Sequence, residues 1–348
     1  MKRTIKKEPL SAQMKAHSKK KVEQKKQYDG NTETMISTGS TLLDLAISGG
    51  RKRGGGIPGG IFVEVFGPSS SGKTVLLCEI AGAVQRQGGE IQFNDPEGRL
   101  DKQFARIFDL DTDNMDYSKP DKVPSIFSSI KDWEPKNTKV VNGSFSDSLA
   151  ALSTDLEMDN EEGDKMGMKR AKEFSEGFRK ICRIISNNNY LMVASNQLRE
   201  TMNSFGPKFK SPGGEGIGFY ASLRLQAENA QKIWDSVKFK GKEVKRAIGV
   251  KTEFNVFKSS VWKPYRKATL YILFDYGIDD VRANLQFIKD YTSNKIYSVG
   301  DSLLKASMNE SIAIVEEAGL EEELKEQVID LWEEIESKFE TERKPKQR

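Results

Sequence analysis

The sequence predicts an α/β protein: a mainly parallel, twisted sheet with helices on both faces, followed by a small C-terminal α-rich domain. Three observations carry this. Short apolar runs such as IFVEVF at 61–66 and YLMVASNQ at 190–197 have the length and continuity of strands buried on both faces. They alternate with helical stretches, the pattern of a sheet wound by crossover helices. Between one such strand and a helix start lies G-x-x-x-x-G-K-T, from Gly67 to Thr74.

The elements follow in order. Residues 1–27 hold ten Lys/Arg against Glu8 and Glu23, with few apolar residues, so they are expected to be disordered or marginally helical when free. Nucleic-acid contact and a merely solvated tail suit them equally. STGSTLLDLAI at 37–47 reads as a capped helix, and GGRKRGGGIPGG at 49–60 as a flexible surface loop. A helix from Lys73 to about Gln87 and the strand EIQFND at 90–95 complete a βαβ unit with the strand at 61–66. A turn at Asn187–Asn189 precedes YLMVASNQ, and 199–216 is a Gly/Pro/Lys-rich loop. EVKRAIGVKTEFNVFKSS and ATLYILFDYG read as late strands forming a hairpin-like addition. Finally, Leu320, Leu324, Val328, Leu331, Ile335 and Phe339 recur at helical spacing in a stretch, 316–342, with twelve Asp/Glu against Lys325 and Lys338. That is an amphipathic helix whose acids are most simply a solvated face. The expected division is a basic N-terminal extension at 1–35, a core at 36–284, a small C-terminal domain at 285–342 and a basic tail at 343–348.

Composition narrows the chemistry. With 36% hydrophobic and 30% charged residues, the 348-residue chain is of the soluble-globular kind. No apolar run reaches the ~18 residues that a membrane span needs, and MKRTIKKEPLSAQ leads into no apolar signal core. A cytoplasmic location without a membrane partner is expected. Cys78 and Cys182 make no metal-ligand spacing and read as free thiols; the single histidine, His17, rules out His-dependent triads. Carboxylates, lysine and a divalent metal are left to do the work.

The loop Gly67, Pro68, Ser69, Ser70, Ser71, Gly72, Lys73, Thr74 has the composition of a polyphosphate cradle. Its glycines clear the backbone N–H groups, the helix start directs its positive end at the anion, Lys73 neutralises β and γ phosphates, and Thr74 offers a hydroxyl to Mg²⁺. Beyond it, Glu97 stands past the end of a neighbouring strand, where a carboxylate can polarise an attacking water; an exposed turn glutamate fits equally. Asp147, in GSFSDSLAAL, could hold Mg²⁺ through a water, although Asn142, Gly143 and Ser144 make its strand unusually polar. Gln197 ends a strand and opens the loop bearing Arg199, Phe205, Lys208, Phe209 and Lys210. Cations interleaved with aromatics suit single-stranded nucleic acid, and an ordinary surface loop is the alternative.

These segments together resemble the RecA-type homologous recombinases of bacteria and phages. ISTGSTLLDLAISGG, the phosphate loop, DPEGRLDKQFAR, SDSLAALST, MGMKRAKEFSEGFRK, SNQLRE, GGEGIGFYASLRL and VFKSS occur in that family's order across residues 36–280. The resemblance implies a DNA-dependent ATPase that uses ATP and Mg²⁺. It also implies a helical homo-oligomer on single-stranded DNA, with ATP between protomers, that pairs it with homologous duplex DNA and exchanges strands. By the same resemblance Glu97 is the general base and Asp147 the second metal-side residue. Asp101 and Phe104 contact adenine, and Gln197 senses the γ-phosphate. The first DNA loop falls at 157–170, with Arg170, Lys172 and Arg179 placed to meet phosphates. The second runs through Phe205 to the hinge Gly213–Gly214. Lys258 acts across the protomer interface, while Ser260 stands where the family often has a second lysine, leaving Lys263 as the nearest substitute. A ring helicase or repair motor on the same core, and an ATP-switched DNA-binding protein that hardly hydrolyses, are the competing readings.

Overall fold

The computed structural model describes residues 34–49, 51–108, 110–154, 165–200, 209–210 and 214–341. A nine-stranded sheet organises them. Its spatial order is Gly277–Ile278, Lys267–Leu273, Lys242–Ser259, Leu223–Phe239, Ile61–Gly67, Tyr190–Gln197, Asn142–Ser146, Ile91–Asn94, Asp116–Ser118. The last six of these are parallel; the first three add on antiparallel, as the late strands predict.

Both faces are covered because alternate residues of the central strands feed two cores. Val63, Val65, Leu191 and Val193 join the larger core with the helices Thr41–Ser48, Lys73–Arg86 and Asp280–Tyr291. Phe62, Met192 and Ala194 point the other way, against Phe127 of Val123–Asp132 and Phe174 and Phe178 of Lys165–Asn187. The polar strand Asn142–Ser146 is fully buried between two neighbours. Its Asn142 accepts from the Glu90 N–H at 2.8 Å and donates to the Asn137 carbonyl at 2.8 Å, whereas the buried Ser144 and Ser146 hydroxyls have no partner among the described residues.

Two expectations change. Residues 56–59 are buried rather than a flexible surface loop, and Ile57–Pro58 pairs antiparallel with Met35–Ile36. Burial of Ile57 draws this segment in, and glycine lets it pass the helix: a Cβ on Gly55 would lie 2.1 Å from the Asp44 carbonyl oxygen. Only Arg51–Arg53 stand out in solvent among the described residues of that segment. The C-terminal helix, Glu321–Ser337, buries Leu324, Val328, Ile329 and Trp332, whereas Phe339 lies past its end and is exposed. The same helix joins the larger core, with Trp332 against Gly49 and 5.3 Å from Trp262. Its acids are not simply solvated: Arg53 reaches Glu326, Asp330 and Glu333 at 2.6, 2.8 and 3.1 Å, and Arg266 reaches Glu336 at 2.8 Å.

Candidate nucleotide site and nucleic-acid interface

Parallel pairing brings the carboxyl ends of four strands together. Gly67 is in register with Gln197, Ser146 with Ala194, and Asn94 with Ser146. Ligands bind at this edge of open α/β sheets. A cavity of about 520 Å³ opens here. Ser69–Val75, Glu97, Asp147 and Gln197 line it, together with Arg99, Ser148, Ser195, Lys232, Ile272 and Phe274.

The phosphate loop has the strained backbone its glycines permit. Gly72 adopts φ 84° at the helix N-cap, and a Cβ there would strike Ile272 at 2.2 Å. Gly67 is demanded by a neighbouring strand, since its Cβ would lie 2.8 Å from Ala227. Lys73 is buried, its ammonium donating to the Pro68 and Gly67 carbonyls at 2.6 and 3.2 Å. Burial lowers its pKa, with Asp147 and Glu97 opposing. Thr74 Oγ1 donates to Asp147 Oδ2 at 2.6 Å, and Ser195 Oγ donates to Asp147 Oδ1. Ser148 Oγ is buried without a partner beside them. Thr74, Asp147 and this orphaned hydroxyl form an all-oxygen donor set suited to a hard divalent cation. Glu97 is held by Arg99 at 2.7 Å.

Other predicted residues lie elsewhere. Asp101 caps the short helix Lys102–Arg106 by accepting from the Phe104 N–H at 2.7 Å, and Phe104 packs edge-on against Phe108; neither lines the cavity. Lys258 is also outside it. Its ammonium donates to the Gly218 and Phe219 carbonyls, each at 2.9 Å, at the end of the helix Glu215–Tyr220. Burial and then the charge of Arg224 lower its pKa. Lys263 is drawn to Glu336 at 3.4 Å within its own chain.

A polar chain joins the cavity to that helix. The Gln197 N–H donates to Asn196 Oδ1 at 3.0 Å, Asn196 donates to Glu64 at 3.0 Å, and Glu64 pairs with Arg224 at 2.6 Å. Arg224 packs over Phe66, 4.4 Å from the ring centroid, and faces the Lys258 that holds the helix. Glu64 is fully buried. Neither Glu64 nor Arg224 is legible as functional from a single sequence; a glutamate inside the apolar run IFVEVF is the one signal.

Of the predicted DNA contacts, Phe205, Lys208 and Gly213 lie outside the described residues, as does most of the first loop, and Arg199 and Lys210 are described by backbone alone. The ends of the two loops meet. Gly214, at φ 77°, abuts Ala171, where a Cβ would lie 2.6 Å from the alanine's, and Gly216 abuts Ser175. Lys172 and Arg179 are exposed nearby on one face of Lys165–Asn187; Lys172 pairs loosely with Glu176 at 3.8 Å. Arg179 Nε lies 3.5 Å from the Tyr220 hydroxyl. Arg170 instead turns inward, donating to the Ala150 and Leu149 carbonyls at 2.5 and 3.3 Å.

The profile of the RecA N-terminal domain matches residues 6–279. The chain belongs to the RecA family. Protein RecA of Ruminococcus albus is 34% identical over 251 residues, 71% of this chain and 58% of that protein. Protein RecA of Acidothermus cellulolyticus is 35% identical over 249 residues, covering 70% and 67%, and that of Borrelia hermsii 32% over 299 residues, covering 83% and 79%. The chain thus spans 58% of the first of these relatives. Among the described residues of this RecA-family chain no helix is long and apolar enough to cross a membrane.

Proposed function

We propose that this protein is an ATP-dependent recombinase that assembles on single-stranded DNA and exchanges strands with a homologous duplex in the cytoplasm. The carrying observation is that Lys73, Thr74, Asp147, Glu97 and Gln197 line one cavity whose rim is wired, through Asn196, Glu64 and Arg224, to the helix that closes the second DNA loop.

In this reading Lys73 leaves the loop carbonyls for the phosphates, its transfer favoured because those carbonyls stabilise it less than a polyanion would. Thr74 and Asp147 would hold Mg²⁺, whose charge would supply electrostatic stabilisation to the bound polyphosphate. Glu97, released from Arg99, orients the attacking water and accepts its proton. Gln197 hydrogen-bonds the terminal phosphate and passes its presence to Asn196. Asp101 and Phe104 meet adenine. Lys258 reaches the phosphates of a neighbouring protomer, exchanging the Gly218 and Phe219 carbonyls for an anion. Lys172, Arg179, Arg199, Phe205, Lys208 and Lys210 take the DNA strand, and Gly213 and Gly214 hinge the loop.

Electron microscopy of the protein on single-stranded DNA with a slowly hydrolysed ATP analogue tests the reading. Open helical filaments with DNA-stimulated ATP turnover are expected; closed rings would favour a motor. Filaments without turnover would favour a nucleotide-switched binder, for which the engagement of Lys263 with Glu336 is the supporting observation.

A further inference from the structure

The strands Leu223–Phe239 and Lys242–Ser259 outrun the sheet. Pairing with Ile61–Gly67 stops at Gln226, and pairing with Lys267–Leu273 stops at Gly249. From Trp234 paired with Ala247 out to Phe239 paired with Lys242, the two strands have only each other, a projection of about 20 Å at the usual strand rise. Lys240 and Gly241 close it with φ 48° and 80°, the signature of a type I′ hairpin turn. An isolated two-stranded ribbon is marginal in water, so a projection of this length implies a partner.

Its chemistry is specific. Residues 232–246 carry Lys232, Lys238, Lys240, Lys242, Lys245 and Arg246 against Asp235 and Glu243. Trp234, Val237 and Phe239 are 52%, 61% and 62% exposed, with lysine ammoniums 5.5–5.8 Å from the aromatic rings. The base of the hairpin is different: Glu228 and Glu253 are bridged by Lys267 at 3.1 and 2.7 Å. The excess of positive charge lies in the free part, where Lys238, Lys240, Lys242, Lys245 and Arg246 outnumber Asp235 and Glu243. It occupies both faces there, since Ser236–Lys245 and Lys238–Glu243 pairs lie on the face of Trp234, and Asp235–Arg246 and Phe239–Lys242 pairs on the other.

We propose that this ribbon is a duplex-DNA-binding arm that enters a groove with its cations against both phosphate walls. The major groove is about 12 Å wide and admits a two-stranded β-ribbon. Cations on both faces and unpaired edges suit a slot between two anionic walls, whereas a protein surface would cover one face. The geometry stands independently of strand exchange, and the DNA-handling reading above supplies only the choice of ligand.

The test is anisotropy of a labelled blunt duplex against the full chain, without nucleotide, over a salt series. Lys238→Glu, Lys240→Glu and Lys242→Glu combined should weaken duplex binding ~10-fold or more and reduce the slope of log K against log salt by about 3, roughly 0.9 per lost phosphate contact. The corresponding triple arginine variant should keep both, and circular dichroism should show the fold unchanged in each. ATP turnover stimulated by single-stranded DNA, measured in parallel, reports separately on the recombinase reading. Unchanged duplex affinity and slope would overturn the assignment. So would an unchanged duplex affinity with altered oligomeric mass, which would give the arm to a second copy, or a loss confined to single-stranded DNA.

Discussion

Lys73 and Glu97 share one cavity yet make separable predictions. Lys73 is the buried cation of the phosphate loop, so Lys73→Ala should abolish nucleotide binding, measured with a fluorescent ATP analogue. Glu97 pairs with Arg99 on the cavity wall; Glu97→Gln should keep nucleotide and DNA binding while turnover falls by ~10²-fold or more. Normal turnover in that variant would remove it from the role of base. Glu64 is a different kind of residue. Its carboxylate is fully buried against Arg224 and Asn196, so Glu64→Ala leaves a half-buried guanidinium unpaired and should cost about 2–4 kcal/mol in urea unfolding. The milder Glu64→Gln should lower stimulation by single-stranded DNA while leaving nucleotide affinity intact, since Gln197 and the phosphate loop are untouched.

At the scale of elements, the helix Thr41–Ser48 is fastened by buried carboxylates. Asp44 accepts from Ser37 Oγ at 2.6 Å and from the Thr38 N–H and hydroxyl at 2.8 and 2.7 Å, and Asp280 accepts from the Thr41 N–H at 2.8 Å. Burial pushes Asp44 up to about 7, and Glu79, beside Gly277 and Ile278, up to about 7 as well. The folded state therefore binds their protons more tightly than the unfolded chain. That contribution is whole below about pH 4, falls as pH rises, and is gone above about pH 7. The urea midpoint should drop across this window as these two groups ionise, and Asp44→Asn should flatten the drop. Capping by Ser40 and the apolar spacing of 41–48 are legible from sequence. The strand Leu223–Phe239 is not, because beyond Ala227 it is exposed and has no core face to impose alternation; only Lys240–Gly241 marks it.

Across the whole molecule, the C-terminal helix is part of the core that carries the phosphate-loop helix. Trp332 packs on Trp262 and Gly49, so Trp332→Ala should destabilise by about 3–5 kcal/mol and lower the single thermal transition rather than melt a separate unit. Two resolved transitions, with only the smaller one moved, would instead show an independently folding domain at 285–342. Lys258 lies outside its own chain's cavity, on the Gly218 carbonyl. Lys258→Ala should spare nucleotide binding by the free protein yet remove most turnover in filaments, measured as ATPase per filament length. A variant as active as the parent would place the trans-acting cation elsewhere.

Motif order was enough to assign the fold class, and it named the loop 67–74, Glu97, Asp147 and Gln197 as candidates, because each follows or ends a run that reads as a buried strand. Tertiary structure decided what connectivity cannot. It turned Arg170 inward to backbone carbonyls, tied Lys263 to Glu336 and set Glu64 against Arg224 across 160 residues. It also left the basic ribbon standing clear of the sheet. Those outcomes depend on which charges burial brings together, and a desolvated charge takes whatever partner the packing supplies.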